Sequence, residues 1–81
     1  MLKIYGNMLC PDCVQCCKDL DGAGVEYEYR DIAADLRALK EFLHFRDSEA
    51  LFAPVKEAGA IGIPCIVRED GSVTLEWEKL I

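Results

Sequence analysis

Leu2-Lys3-Ile4-Tyr5-Gly6-Asn7-Met8-Leu9-Cys10-Pro11-Asp12-Cys13 is the stretch that decides the fold. Leu2 to Tyr5 is rich in strand formers, and Gly6-Asn7 ends the run. Pro11 follows Cys10 directly, and proline suits the first helical position because its missing N–H would be unpaired there anyway. Downstream, Cys13, Val14, Cys16, Cys17 and Leu20 recur at three- and four-residue spacing, which predicts a helix from Pro11 to Leu20 or Ala23. Two cysteines three apart therefore stand where a strand hands over to a helix. Unpaired N–H groups and the helix dipole favour an anion at that point, so a Cys10 thiolate is stabilised. Cys13, one turn further in, is placed to resolve a mixed disulfide. No Lys or Arg lies between Ile4 and Leu9, and Asp12 opposes a neighbouring thiolate, which leaves the helix terminus as the activating group.

Outward from this stretch, Gly22 and Gly24 close the helix, and Val25-Glu26-Tyr27-Glu28-Tyr29 alternates as a half-buried strand does. Asp31 or Asp35 caps a second helix with Leu36, Leu39, Phe42, Leu43 and Phe45 as its apolar stripe. Asp47-Ser48 breaks the pattern, and a further helix runs from Ser48 to Gly59, distorted in its first turns by Pro54. Gly62-Ile63-Pro64 turns into a strand at Cys65-Ile66-Val67. Glu69-Asp70-Gly71-Ser72 is a hairpin turn, followed by a return strand at Val73-Thr74-Leu75 and a stub from Trp77. The order β-α-β-α-α-β-β predicts an α/β fold with a four-stranded mixed sheet and flanking helices, the first βαβ unit parallel and the last two strands antiparallel.

With 81 residues the chain is expected to form one domain, 1–81, with a thin core. Fifteen acidic against nine basic residues give a net charge of −6, which repels phosphate backbones and argues against nucleic acid. No apolar run reaches the ~20 residues of a membrane span. The opening residues enter a strand pattern without a secretory leader, so a cytoplasmic protein is expected. Five cysteines, four of them between Cys10 and Cys17, suit thiol chemistry or metal binding better than a stapled secreted fold.

Tyr5 with Cys10-Pro11-Asp12-Cys13, Gly24-Val25 with Tyr27, and Ile63-Pro64 together make the chain resemble a glutaredoxin of the thioredoxin-fold superfamily. The resemblance spans nearly the whole chain. It implies a thiol–disulfide oxidoreductase in which Cys10 attacks, Cys13 resolves and a cis Ile63–Pro64 bond presents backbone to the substrate. Pro11, Asp12, Ile63 and Pro64 are the substrate-contacting candidates. It implies a disulfide-bearing protein or glutathione as substrate, a reductase as electron donor, no bound cofactor (glutathione at most as co-substrate), and a monomer. The chain departs from that family at Asn7, where a lysine is common, and at Asp12, where an aromatic residue is. The family's Gly-Gly-x-Asp-Asp glutathione segment is replaced by Leu75-Glu76-Trp77-Glu78-Lys79, and the stretch from Asp31 to Pro64 is longer than a small glutaredoxin needs.

Two other readings use the same cysteines. Cys10, Cys13 and Cys16 match the spacing of a ferredoxin run, with Cys65 as a fourth ligand for a cluster or zinc. A redox sensor without turnover would use the additional thiols to trap an oxidised state. Cys16 and Cys17 otherwise read as small core residues, Cys65 as a buried strand residue or a third thiol near Cys10, His44 as a packing or surface residue, and Trp77 as a lid on the sheet edge or a flank of the active-site groove.

Overall fold

Ile4 and Tyr5 are adjacent, and both are buried, 0% and 2% exposed, so the strand that carries them is covered on both faces. This strand, β1 (Leu2–Gly6), lies inside a four-stranded sheet. The computed structural model describes all residues, Met1–Ile81. In chain order β1 is followed by α1 (Pro11–Gly22), β2 (Tyr27–Asp31), α2 (Leu36–Ser48), a 3₁₀ turn (Ala50–Phe52) running into α3 (Ala53–Glu57), β3 (Cys65–Val67), β4 (Val73–Thr74) and a second 3₁₀ turn (Trp77–Leu80). The sheet order is β2-β1-β3-β4, with β1 parallel to β2 and the other two pairings antiparallel. The expected element order, parallel β1–β2 pair, antiparallel β3–β4 pair and helix count are therefore found. No helix is long and apolar enough to cross a membrane.

Register sorts the core. Ile4 pairs with Ile66, and both join Cys16 and Leu20 on the α1 face. Tyr5 pairs with Cys65, and both join Phe42, Phe52 and Val67 on the α2 face. Phe42 and Phe52 meet edge-on, centroids 6.1 Å apart. On that same face the Tyr5 hydroxyl donates to Glu41 (2.8 Å), whose carboxylate also takes two bonds from Arg30 (3.1 Å each), strapping β2 to α2.

Four boundaries differ from the sequence expectation, each for a local reason. β2 starts at Tyr27, not Val25, because the Gly24 and Val25 amides bond back to the Asp21 and Leu20 carbonyls and finish α1. The shift is by two residues, so Tyr27 and Tyr29 keep the same face. The second helix is capped by Asp35, which accepts from the Arg37 and Ala38 amides, while Asp31 caps a turn at Ala33 and Ala34. Its buried side is Ala38 and Phe42, with Leu39 and Phe45 beside them. Leu36 and Leu43, seven residues apart, share the outer line and are 73% and 40% exposed. The single helix expected over Ser48–Gly59 is split, since Glu49 is extended and Pro54 sits in the first turn of α3, where it costs no hydrogen bond. β4 is a residue shorter than expected, and Thr74 Oγ1 accepts from the Glu76 amide as the chain turns away.

The segment after α3 is held from two sides. Arg46 on α2 donates to the Ile61 and Ala60 carbonyls (2.9 and 2.7 Å). Gly62 has φ +94°, and a side chain there would meet Phe52 at 2.8 Å, so only glycine lets this loop lie on the aromatic core. The Ile63–Pro64 peptide bond that follows is cis. Trp77 packs against the α1-face core, and its Nε1 donates to Asp19 (2.8 Å), which pins the C-terminal turn across α1.

Candidate active site

The loop between β1 and α1 is organised by Asn7. Its carbonyl accepts from the Cys10 amide (3.0 Å), its Oδ1 accepts from the Leu9 amide (2.9 Å), and its Nδ2 donates to Asp31 (3.0 Å). Asp31 thereby joins the ends of the two parallel strands, and these hydrogen bonds hold its carboxyl below the usual carboxylate range. Cys10 is the N-cap of α1, its backbone extended and its side chain making no cap hydrogen bond, with Pro11 as the first helical residue. Its thiol is half-buried and free.

Cys13, one turn on, is fully buried, and its sulfur lies against β1. A methyl carbon built on Gly6 would come within 2.7 Å of Cys13 Sγ, so the absence of a side chain at Gly6 makes the room for this thiol. Burial pushes Cys13 up to about 12; the Cys10 side chain, its hydrogen-bond neighbour, adds to the rise and the Asn7 amide works against it. Such a group stays a thiol at neutral pH until a partner changes its surroundings.

An apolar groove of about 360 Å³ opens beside Cys10, walled by Leu9, Ile32, Ala33, Ile61 and Ile63, with Asn7 its one polar side chain. Leu9 is 93% and Ile61 57% exposed, which is much apolar surface to leave uncovered at one place. The groove thus brings Ile63 to Cys10, while Pro64 is buried behind it and Pro11 and Asp12 are exposed outside it. Gly6, Leu9, Ile32 and Ile61 were not singled out from the sequence; an uncovered leucine directly before Cys10 was the available signal. Cavities elsewhere, lined by Lys3, Tyr5 and Phe45, lie on the α2 side and contain no thiol.

Cys16 and Cys17 are buried on α1, as core residues would be. Cys65 is a buried strand residue, one of the two places the sequence allowed it. It pairs with Tyr5 and points to the α2 face, whereas Cys16 packs on the α1 face with Ile4 and Ile66. No three Cys, His, Asp or Glu side chains come together as metal ligands would. His44 is exposed and stacks edgewise on Phe45.

Burial pushes Cys13, Cys16 and Cys65 each up to about 12 from an ordinary value near 9. A folded-state pKa above the unfolded one favours folding fully below pH 9, and the contribution is lost as pH rises towards 12. The reduced protein is therefore expected to lose thermal stability steeply between about pH 9 and 12, read as a falling Tm by circular dichroism. A Tm that stays flat across that range would contradict the burial of these thiols.

No protein-family model matches the chain. An uncharacterized protein of Haemophilus influenzae (strain Rd) is 39% identical over 71 residues, which make up 88% of this chain and 83% of that protein. Among solved structures, the crystal structure of the thioredoxin-like protein BC3987 superposes with a TM-score of 0.71 at 28% identity, covering 99% of this chain and 94% of that one. A point mutant of the same protein gives the same TM-score and identity, with 99% and 93% covered. The fold is thioredoxin-like, and the chain belongs to one family with the Haemophilus influenzae protein.

Proposed function

We propose that this protein is a thiol–disulfide oxidoreductase of the glutaredoxin-like Cys-Pro-x-Cys kind, with Cys10 as nucleophile and Cys13 as resolving thiol. The observation that carries the reading is a half-exposed cysteine capping a helix at the mouth of an apolar groove, with a second thiol buried one turn behind it. Cys10 Sγ attacks one sulfur of the substrate disulfide. That S–S bond breaks, and its electron pair leaves on the departing thiolate, which takes a proton from solvent. Cys13 then gives up its proton and attacks Cys10 Sγ. The Cys10–Cys13 disulfide forms as the second substrate thiolate departs, so the substrate gains the two electrons the dithiol loses. A reductase or an external thiol returns those electrons.

The substrate is a protein segment with apolar residues beside its disulfide. Leu9, Ile61 and Ile63 match such a segment, and Ile63, ahead of the cis-proline, offers backbone to it in the manner of the resembled family. Glutathione, with its two carboxylates, finds no Lys or Arg among the groove residues. The protein works as a monomer without a bound cofactor. Turnover tests this reading: with dithiothreitol as reductant, a peptide disulfide flanked by leucines is expected to be reduced several-fold faster than glutathione disulfide. Acceleration of neither substrate over the uncatalysed rate would sink the proposal.

A further inference from the structure

Tyr5, Tyr27 and Tyr29 are the chain's three tyrosines. The Tyr5 hydroxyl donates to Glu41 (2.8 Å) and the Tyr27 hydroxyl to Asp21 (2.9 Å). The Tyr29 hydroxyl is buried and has no hydrogen-bond partner. A buried polar group without a partner is costly, and where it persists it calls for an explanation. Its position supplies one. Tyr29 pairs with Ile4 in the sheet, which points its ring to the α1 face. A methyl carbon built on Gly6 would lie 3.4 Å from the Tyr29 hydroxyl and 2.7 Å from Cys13 Sγ, so hydroxyl and sulfur border the same small space.

We propose that the Tyr29 hydroxyl donates a hydrogen bond to Cys13 Sγ once that sulfur becomes an anion, and thereby sets the pH at which the resolving step runs. The inference rests on the exchange mechanism above and concerns its second half only. A neutral thiol is a weak acceptor, which accounts for a reduced state in which the hydroxyl is left unpaired; a thiolate is a strong one. Tyr29 keeps its own proton throughout, since burial and the neighbouring Cys13, Cys17, Asp31 and Cys10 all raise its pKa. Other groups around this space leave the role open. From α1, Cys10 and Cys17 face Cys13 as acids that disfavour its anion. From the loop, the Asn7 amide gives Cys13 one favourable hydrogen bond. At the end of β2, Asp31 Oδ1 is already occupied by Asn7, Ala33 and Ala34. No cation faces the sulfur, so Tyr29 is the side-chain donor available to its thiolate.

The test is the Tyr29→Phe variant, which removes an unpartnered hydroxyl and keeps the ring, so the reduced protein is expected to melt at or above the wild-type temperature. Mixing reduced protein with 5,5′-dithiobis(2-nitrobenzoate) releases one chromophoric thiolate as Cys10 attacks and a second as Cys13 resolves. In Tyr29→Phe the second release is expected to be about tenfold slower at pH 7, with its pH midpoint about one unit higher. The first release, measured in a Cys13→Ser background, is expected to be unchanged. A 3-fluorotyrosine at position 29, a stronger donor, moves the midpoint down instead. Superposable second-phase pH profiles for wild type and Tyr29→Phe would overturn the proposal, as would slowing of both phases together with a lowered melting temperature, the mark of a packing role. A wild-type protein with no second release refutes the exchange mechanism itself, which separates that failure from this one.

Discussion

Cys10→Ser is expected to lower disulfide turnover by at least about a thousandfold, because nothing else in the groove can act as a nucleophile. Cys13, Cys16, Cys17 and Cys65 are all buried, and Asn7 is the groove's one polar side chain. The fold should not suffer, since Cys10 is half-buried and makes no capping bond through its side chain. Cys13→Ser divides the two steps. Serine is close in size and its oxygen can still accept from the Asn7 amide, so the loop keeps its geometry. The variant attacks a disulfide normally but cannot release it, and a one-to-one mixed disulfide on Cys10 should accumulate and be visible by intact mass. If Cys10→Ser retained turnover, or Cys13→Ser released substrate as fast as wild type, the roles assigned to the pair would be wrong.

Gly6→Ala is expected to be the most damaging substitution of one small residue for another. The added carbon would sit 2.7 Å from Cys13 Sγ and 3.4 Å from its Cβ, closer than packed atoms tolerate. Either β1 shifts or the thiol is driven out of its seat. Overpacking of this kind costs about 1–3 kcal/mol. In a domain of this size each kcal/mol lowers Tm by roughly 4–8 °C. The functional effect should exceed the loss of stability, because the displaced sulfur no longer faces Cys10; thiolate release in the resolving phase should slow even at temperatures where the variant is fully folded. Gly22→Ala is the control, since an added carbon there meets nothing within 4 Å; in the last turn of α1, where alanine is the better helix former, it should hold or raise Tm and leave release unchanged. Equal behaviour of the two variants would remove Gly6 from the site.

What was legible in the sequence was what local chemistry dictates. The start of α1 at Pro11 and the hairpin at Asp70-Gly71 each depend on a few neighbouring residues, and each is found where expected; the cis bond at Ile63–Pro64, which the family resemblance implied, is found as well. The parallel and antiparallel pairings followed from element order. Features set by distant parts of the chain were not legible. Which face Cys65 takes depends on its pairing with Tyr5, sixty positions away, and that register buries it in the α2-face core, apart from Cys16. The meeting of Tyr29 with Cys13 needs β2 laid beside β1 and α1 packed across both, so neither residue signals the other in sequence. The groove wall likewise combines Leu9, Ile32 and Ile61 from three separate loops. Leu36 and Leu43 misled for the opposite reason: their spacing is helical, but the sheet covers the other side of α2.

The central claim is a reversible Cys10–Cys13 dithiol, and a redox titration in glutathione buffers tests it most directly, with mass-spectrometric mapping of the paired cysteines at each potential. The account predicts one two-electron couple, between about −200 and −270 mV, that joins Cys10 to Cys13 and leaves Cys16, Cys17 and Cys65 reduced. Absence of such a couple, or a disulfide joining Cys13 to any cysteine other than Cys10, would contradict it.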